Sequence, residues 1–184
     1  FDIPVTTISA NLAADAFNVI TKGVYLQGSK PFYCTLRMGQ FSHGEIVTSK
    51  GKAGLGKEFY VANTPSLATF NNFTAGVLAT ENNTVVTVTW NGSVTFFGAP
   101  TNPAPTNTHT FTLNKGQSFI FAGNTSGTAP FMGAKIVSDK PITLTNGNVN
   151  GNFGATGTAG GSDAILDQSV PVERLGSTFA MVRT

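Results

Sequence analysis

Apolar and polar residues alternate along much of the chain in short runs, and turn-forming residues separate these runs at intervals of roughly ten positions. The clearest run is residues 84–90 (TVVTVTW), whose β-branched residues are typical of a strand. Comparable runs occur at residues 1–8, 24–26, 32–38, 58–62, 72–80, 108–113 and 117–121. Short strands with frequent turns favour antiparallel sheets. The pattern therefore predicts an all-β fold, either an antiparallel β-sandwich or a barrel-like sheet, with little or no helix.

Two turns predict hairpins. Asn91-Gly92 is a strong two-residue turn signal, and it predicts pairing of residues 84–90 with the strand that follows. Both faces of that pairing carry bulky apolar groups, so the pattern leaves its register open. A second hairpin is predicted to join residues 108–113 to residues 117–121. Helical spacing over residues 9–20 predicts at most a short helical turn, with Ser9 as its cap.

Residues 134–183 combine a strand-like run with a long polar loop. Because Pro fixes its own φ and extends the residue before it, the sequence at 138–141 (SDKP) predicts a break in the strand. The Gly- and Asn-rich stretch at residues 148–162 predicts a loop.

Two features of this region also occur near the start of the chain. Lys30-Pro31 recurs as Lys140-Pro141, and Leu55-Gly56 recurs as Leu175-Gly176. Ordered matches at similar spacing predict duplication. The prediction divides the chain into two parts. Residues 1–62 are the C-terminal half of a first β repeat unit, and residues 63–184 are most of a second unit. The two parts can pack together as one domain. The front half of the first unit is expected upstream.

Composition narrows the class of protein. Only 11% of the 184 residues are charged, 40% are hydrophobic and the net charge is +2, whereas an ordinary soluble domain has about 25% charged residues. A surface of Thr, Asn, Ser and Gly instead suits β-rich extracellular proteins. The charges are scattered, which argues against nucleic-acid binding, and no apolar run approaches the ~20 residues of a membrane span. Cys34 is the single cysteine, so no disulfide framework exists within this chain.

Several segments together resemble a known family. They are residues 47–59 (VTSKGKAGLGKEF), 78–87 (LATENNTVVT), 113–119 (LNKGQSF), 138–142 (SDKPI), 148–153 and 163–168. These segments are similar to the N-terminal domain of IgGFc-binding proteins as it occurs in large Bacteroidota surface proteins, which are type IX-secreted and carry gliding-motility-associated sorting domains. The resemblance covers most of residues 26–182. It departs from the family's pattern at residues 163–165 and at Pro171.

The resemblance implies a secreted, cell-surface, β-rich module of a long adhesin-like polypeptide. The expected function is non-catalytic: the module presents loops for surface attachment or protein–protein contact. Its expected partners are other modules of the same long chain and host or substratum glycans or proteins, without nucleic acid or membrane insertion. The alternative is a carbohydrate-binding module of a secreted protein. Antibody binding is not carried over, because no Fc-contacting motif can be matched residue by residue.

Few residues of the sequence suggest a catalytic or metal-binding role. His43 with Ser42 or Ser49 offers parts of a Ser/His/Asp triad, but no nucleophile motif such as Gly-x-Ser-x-Gly accompanies them. No catalytic residue and no cofactor is therefore predicted. Asp163 and Asp167, beside the Gly-rich loop, are the candidate calcium ligands. The competing interpretation is that these carboxylates cap turns, since calcium usually takes more charged oxygen ligands.

Aromatic residues offer a further possible site. Trp90, Tyr25, Tyr33 and Tyr60 could stack on sugars, but their positions in strand-like runs favour packing in the core. The loop at residues 148–162, where the two copies differ most, is where a specific partner is expected.

Overall fold

The computed structural model describes residues 2–4, 8, 10–40, 43–64, 72–101, 106–124, 131–151 and 163–180. The elements in chain order are α1 (Leu12–Asp15), β1 (Val19–Ile20), β2 (Thr35–Gln40), β3 (His43–Thr48), a first 3-10 helix (Gly51–Gly54), β4 (Gly56–Tyr60), β5 (Asn72–Ala79), β6 (Thr84–Thr89), β7 (Thr108–Leu113), β8 (Ser118–Asn124), β9 (Lys135–Gly151), β10 (Asp163–Gln168) and a second 3-10 helix (Val172–Arg174). Most predicted strands are present, with ends shifted by a few residues.

Eight of these strands form one antiparallel sheet. Its order is β1-β8-β5-β9-β6-β7, and β4 and β10 also pair with β9, while β2 and β3 form a separate two-stranded sheet. The large sheet curls into a nearly closed barrel. Where β7 faces β8, the rings of Phe111 and Phe119 stack with their centroids 4.1 Å apart. The predicted all-β, antiparallel, barrel-like architecture is confirmed.

Aromatic side chains fill much of the barrel interior. Partly buried and fully buried residues alternate along β5, because successive side chains of a strand point to opposite faces. Phe73 of this strand stacks on Phe131 with centroids 5.1 Å apart, and Trp90 meets Phe96 edge-on at 5.0 Å. Such pairs contribute about 0.5–1.5 kcal/mol each beyond the burial of their area. The predicted core position of Trp90 is confirmed.

The central strand β9 corrects the predicted break at residues 138–141. It runs for 17 residues without interruption, and it exchanges its neighbours at the expected break. Residues 135–138 pair with β6, whereas residues 142–150 pair with β5. Pro141 fits because no ladder pairing is made there: instead its carbonyl accepts a hydrogen bond from Thr80 Oγ1 at 2.8 Å. The strand also continues into the predicted loop, as far as Gly151; residues 152–162 lie outside the described residues.

Both predicted hairpins are wrong. Gly92 does form a turn with φ +72, but the chain after it enters the core instead of pairing with β6. There Phe96 is fully buried, and Phe97 N donates to Ala122 O at 2.8 Å. β6 pairs with β7, and β8 pairs with β5. The reason is burial: Val94 and Phe96 lie in the barrel core, where the removal of apolar surface from water stabilises this path of the chain.

The N-terminal part is less regular than predicted. The helix expected over residues 9–20 is only α1, and its cap is Asn11, whose Oδ1 accepts from Ala13 N at 3.1 Å; Ser9 lies outside the described residues. Phe17 adopts φ +60 and places its ring against Phe121 in the core, 5.6 Å between centroids.

Two predicted strands are absent at this end of the chain. Residues 24–26 have no regular structure, nor do residues 2–4 of the strand expected at residues 1–8. β4 pairs with β9, so residues 1–62 and 63–184 share one sheet, and their division into repeat units stays a prediction.

Candidate interaction surfaces

The β2–β3 hairpin docks on β10 through carboxylates. Gly44 N donates to Asp163 Oδ1 at 3.1 Å, and Leu166 N donates to Glu45 Oε2 at 3.2 Å. Each element therefore satisfies a backbone N–H of the other with an acidic side chain, and such charge-assisted bonds are stronger than neutral ones. A shallow depression lies at this hairpin, lined by Arg37, Met38, Gly44, Glu45 and Ile46.

The two candidate calcium ligands both lie on β10 and both have protein partners. Lys50 Nζ lies 2.7 Å from each carboxylate oxygen of Asp167. Asp163 Oδ1 accepts from Ala164 N at 2.8 Å, besides its bond to Gly44. Across the described ranges, no group of three His, Cys, Asp or Glu side chains is placed to hold a metal ion. The geometry suits the capping and docking role of both carboxylates, and calcium binding stays an untested alternative.

The structure describes the surroundings of only one of the two histidine side chains. The side chain of His43, and Ser42 beside it, lie outside the part of the chain that can be described. His109 lies among aromatic rings, with centroids 4.6 Å from Phe17 and 5.4 Å from Phe119. Burial lowers the pKa of His109. An imidazole packed among phenyl rings serves the core.

Asparagines of β9 hold the segment that follows β4. Asn146 Oδ1 accepts from Ala62 N, and Asn148 Oδ1 accepts from Thr64 N, each at 2.6 Å. Both asparagines are buried. The sequence suggested a loop near these residues, because Asn and Gly favour turns. The signal that could have revealed them is their spacing of two, which places side chains on one face of a strand.

Gly147, between these two asparagines, fixes how closely β9 and β10 approach. Its φ is +140, and a Cβ at this position would lie 1.9 Å from the carbonyl oxygen of Ile165. Only glycine allows that contact without movement of the backbone.

Residues 24–33 present large apolar side chains to solvent. Leu26 is 50% exposed, Phe32 58% and Tyr33 77%. The prediction that the tyrosines pack in the core is wrong for Tyr25, Tyr33 and Tyr60, all of which are exposed. Tyr33 OH lies 3.4 Å from Thr48 Oγ1 on β3, and Lys115 Nζ lies 4.8 Å from the ring centre of Tyr25. We call residues 24–33 the aromatic segment.

A second exposed apolar stretch follows the second 3-10 helix. Leu175 and Phe179 are 53% and 71% exposed. The preceding helix is attached to β4, because Glu173 Oε1 accepts from Lys57 N at 2.6 Å. Burial by itself would raise the pKa of Glu173, but hydrogen bonds from the backbone N–H groups of Glu173, Lys57 and Glu58 lower it overall. The chain therefore leaves the barrel from a fixed point.

Comparison with known proteins identifies a family. The family model described as IgGFc binding protein matches residues 44–184, well over half of the chain. No curated protein and no solved structure matches this chain. The matched region begins in β3 and includes the whole barrel apart from α1 and β1.

Two further observations accompany the match. Proteins of the matched family are typically extracellular. Among the described residues, no helix is both long and apolar enough to cross a membrane. Because the match spans β3 to the C-terminal stretch, the chain belongs to the IgGFc-binding protein family.

Proposed function

We propose that this chain is a non-catalytic module through which a long secreted surface protein contacts other proteins, and that the aromatic segment is its contact surface. The observation that carries the proposal is the concentration of exposed Tyr25, Leu26, Phe32 and Tyr33 in one short stretch. Contiguous exposed apolar groups mark interaction sites on soluble domains. Aromatic residues are enriched in such sites, since they bury a large area.

The family supports a secreted, surface-type binding module, and the proposal adds the adhesive role. The proposal also places the module in a type IX-secreted Bacteroidota surface protein of the gliding-motility class, in series with other modules. The full-length gene product tests this placement. We expect an upstream signal peptide and a downstream type IX sorting domain, and a cytoplasmic chain with neither would overturn it.

Binding measurements test the contact surface. The chain is assayed by biolayer interferometry against immobilised extracellular matrix proteins, antibody Fc and a second sample of the chain itself. The variant Phe32→Ser with Tyr33→Ser should lose about tenfold in affinity for any protein bound, because each buried aromatic anchor is worth 1 kcal/mol or more. The matched control, Tyr60→Ser with Met132→Ser, changes comparably exposed apolar residues elsewhere and should bind normally.

Each outcome bears on the proposal. Binding that both variants weaken equally, or no binding to any protein, would contradict it. A glycan array run in parallel tests the alternative: selective binding to one glycan class, lost in the Phe32 and Tyr33 variant, would favour a carbohydrate-binding module. Turnover of generic esterase, protease or glycosidase substrates would contradict the non-catalytic assignment.

A further inference from the structure

Two hairpins of the chain have the same pairing. β2 pairs with β3, and the second half of β9 pairs with β10. Lys30-Pro31 aligns with Lys140-Pro141, and Leu55-Gly56 aligns with Leu175-Gly176. In this alignment, consecutive residue pairs of the first hairpin correspond to residue pairs of the second. The matches are Thr35↔Thr48 with Thr145↔Gln168, Leu36↔Val47 with Asn146↔Asp167, Arg37↔Ile46 with Gly147↔Leu166, and Met38↔Glu45 with Asn148↔Ile165.

Backbone hydrogen bonds at the ends of the hairpins match as well. Ser49 N donates to Cys34 O, and at the aligned positions Ser169 N donates to Leu144 O. A 3-10 helix follows each hairpin. After these helices the N–H of Leu55 donates to Lys52 O, as the N–H of Leu175 donates to Val172 O. The side chains at most of these positions differ, so the agreement lies in the path of the backbone.

Burial is where the two regions differ. In the barrel, Phe59 of β4 lies opposite Ile136 of β9, and both are fully buried. Three buried positions of this contact have exposed counterparts: Ile136 aligns with Leu26, Ile142 with Phe32, and Phe59 with Phe179. The chain therefore holds one completed contact of the β4–β9 type. It also holds, in two separate parts of the sequence, the two segments that a second such contact would need.

We propose that residues 175–180 of one copy of this chain pair as a strand with residues 24–32 of a second copy, repeating between molecules the β4–β9 contact made within the chain. The proposal rests on the proposed function, since it names the partner of the aromatic segment. The register of β4 on β9 transfers directly. It places Gly176 opposite Phe32, Thr178 opposite Gln27, Phe179 opposite Leu26 and Ala180 opposite Tyr25.

The chemistry of both segments suits this pairing. Residues 175–180 (LGSTFA) contain no charged side chain, and residues 24–32 contain one, Lys30, which aligns with Lys140 of β9 and so does not prevent a pairing of this type. Few of the charges that proteins use to block strand addition are therefore present. In β4, a Cβ on Gly56 would lie 2.2 Å from Pro171 of the adjoining segment. Gly176 retains glycine at the aligned position, so the incoming strand can pass equally close to the first 3-10 helix.

The two segments are different parts of the sequence, so the contact joins unlike faces of two copies. A contact of this kind leaves one free surface of each type at the ends of every open assembly, and none if the assembly closes into a ring. Main-chain hydrogen bonds supply the attraction in such strand addition, and the alternate side chains select the register.

Disulfide trapping tests the register. All variants carry Cys34→Ser, which removes the native thiol. Leu26→Cys protein is mixed with Phe179→Cys protein under mild oxidation, and we expect a covalent heterodimer on non-reducing gels. The double variant, carrying both cysteines, should give a ladder of higher oligomers. Two off-register mixtures serve as matched controls: Leu26→Cys with Leu175→Cys, and Phe32→Cys with Phe179→Cys, all at exposed positions.

The register decides the result. A disulfide needs Cα atoms within about 7 Å. Leu175 is displaced by four residues from the partner of Leu26, and Phe179 by three from the partner of Phe32, which is about 13 Å and about 10 Å along a strand. The Leu26 and Phe179 mixture should therefore cross-link about tenfold faster than either control. Equal rates in all mixtures, or monomer throughout, would overturn the inference. Binding of another protein through the aromatic segment in the interferometry panel would leave the proposed function standing, so the two failures are distinguishable.

Discussion

Replacing Asn148 by alanine tests the side-chain bond that holds the segment after β4. Asn148 Oδ1 accepts from Thr64 N at 2.6 Å, and Thr64 is itself buried. Its N–H would lose its partner in a place that water does not reach, which costs about 1–3 kcal/mol. We expect the free energy of unfolding to fall by about 2 kcal/mol. With a urea m-value of about 2 kcal/mol/M, the midpoint of unfolding should fall by about 1 M.

Asn150→Ala is the matched control on the same strand. Asn150 Oδ1 has no hydrogen-bond partner among the described residues, so this variant should stay within about 0.5 kcal/mol of the wild type. Unfolding is followed by the fluorescence of Trp90, the single tryptophan, which is buried. Hydrogen exchange of the Thr64 amide should accelerate in Asn148→Ala alone. Equal midpoint losses in the two variants, or unchanged exchange at Thr64, would refute the reasoning.

Three further predictions follow from buried or crowded positions. Burial lowers the pKa of His109 below its ordinary value of 6.5. As the pH falls, the unfolded chain therefore binds a proton at this side chain before the folded chain does. The contribution of neutral His109 to the free energy of unfolding is complete above about pH 6.5 and declines as the pH falls below it. His109→Phe should flatten the dependence of Tm on pH between about pH 8 and pH 5, and an unchanged slope would contradict this origin. Gly147→Ala should cost about 4 kcal/mol or more, because its Cβ would lie 1.9 Å from Ile165 O; a cooperative melt at the wild-type Tm in circular dichroism would contradict it. Because Lys50 Nζ contacts both oxygens of Asp167, millimolar calcium should leave the Tm of the wild type and of Asp167→Asn unchanged, whereas a rise in the wild type alone would establish a calcium site.

The fold class could be read from the sequence because alternation is a local property. Residues 72–80 and 84–90 show it plainly, and both are strands of the barrel. Strand partners could not be read in the same way. Asn91-Gly92 specifies a turn, but it does not specify that Phe96 enters the core. Partner choice depends on contacts between distant residues, and a local pattern contains no information about them.

The candidate surface was only partly predictable, for a related reason. Strand-like spacing at Tyr25 and Tyr33 predicted burial, yet both are exposed, because no strand of the described structure pairs with residues 24–33. The break predicted at Pro141 failed because β9 exchanges neighbours there, and a proline is tolerated where no ladder bond is required. The repeated Lys-Pro and Leu-Gly pairs were visible in the sequence, and they later identified the aligned hairpins.

The position of β9 has a consequence for how the chain folds. β4, β5 and β6 are synthesised well before β9, yet all three pair with it. None of these strands can complete its pairing until residues 135–151 have been synthesised, so the sheet cannot close before then. Long-range pairing of this kind slows folding, and strands that remain unpaired in the meantime are prone to aggregation. A nascent or truncated chain that ends before β9 lacks the strand on which the barrel assembles, so it is the form most in need of a chaperone.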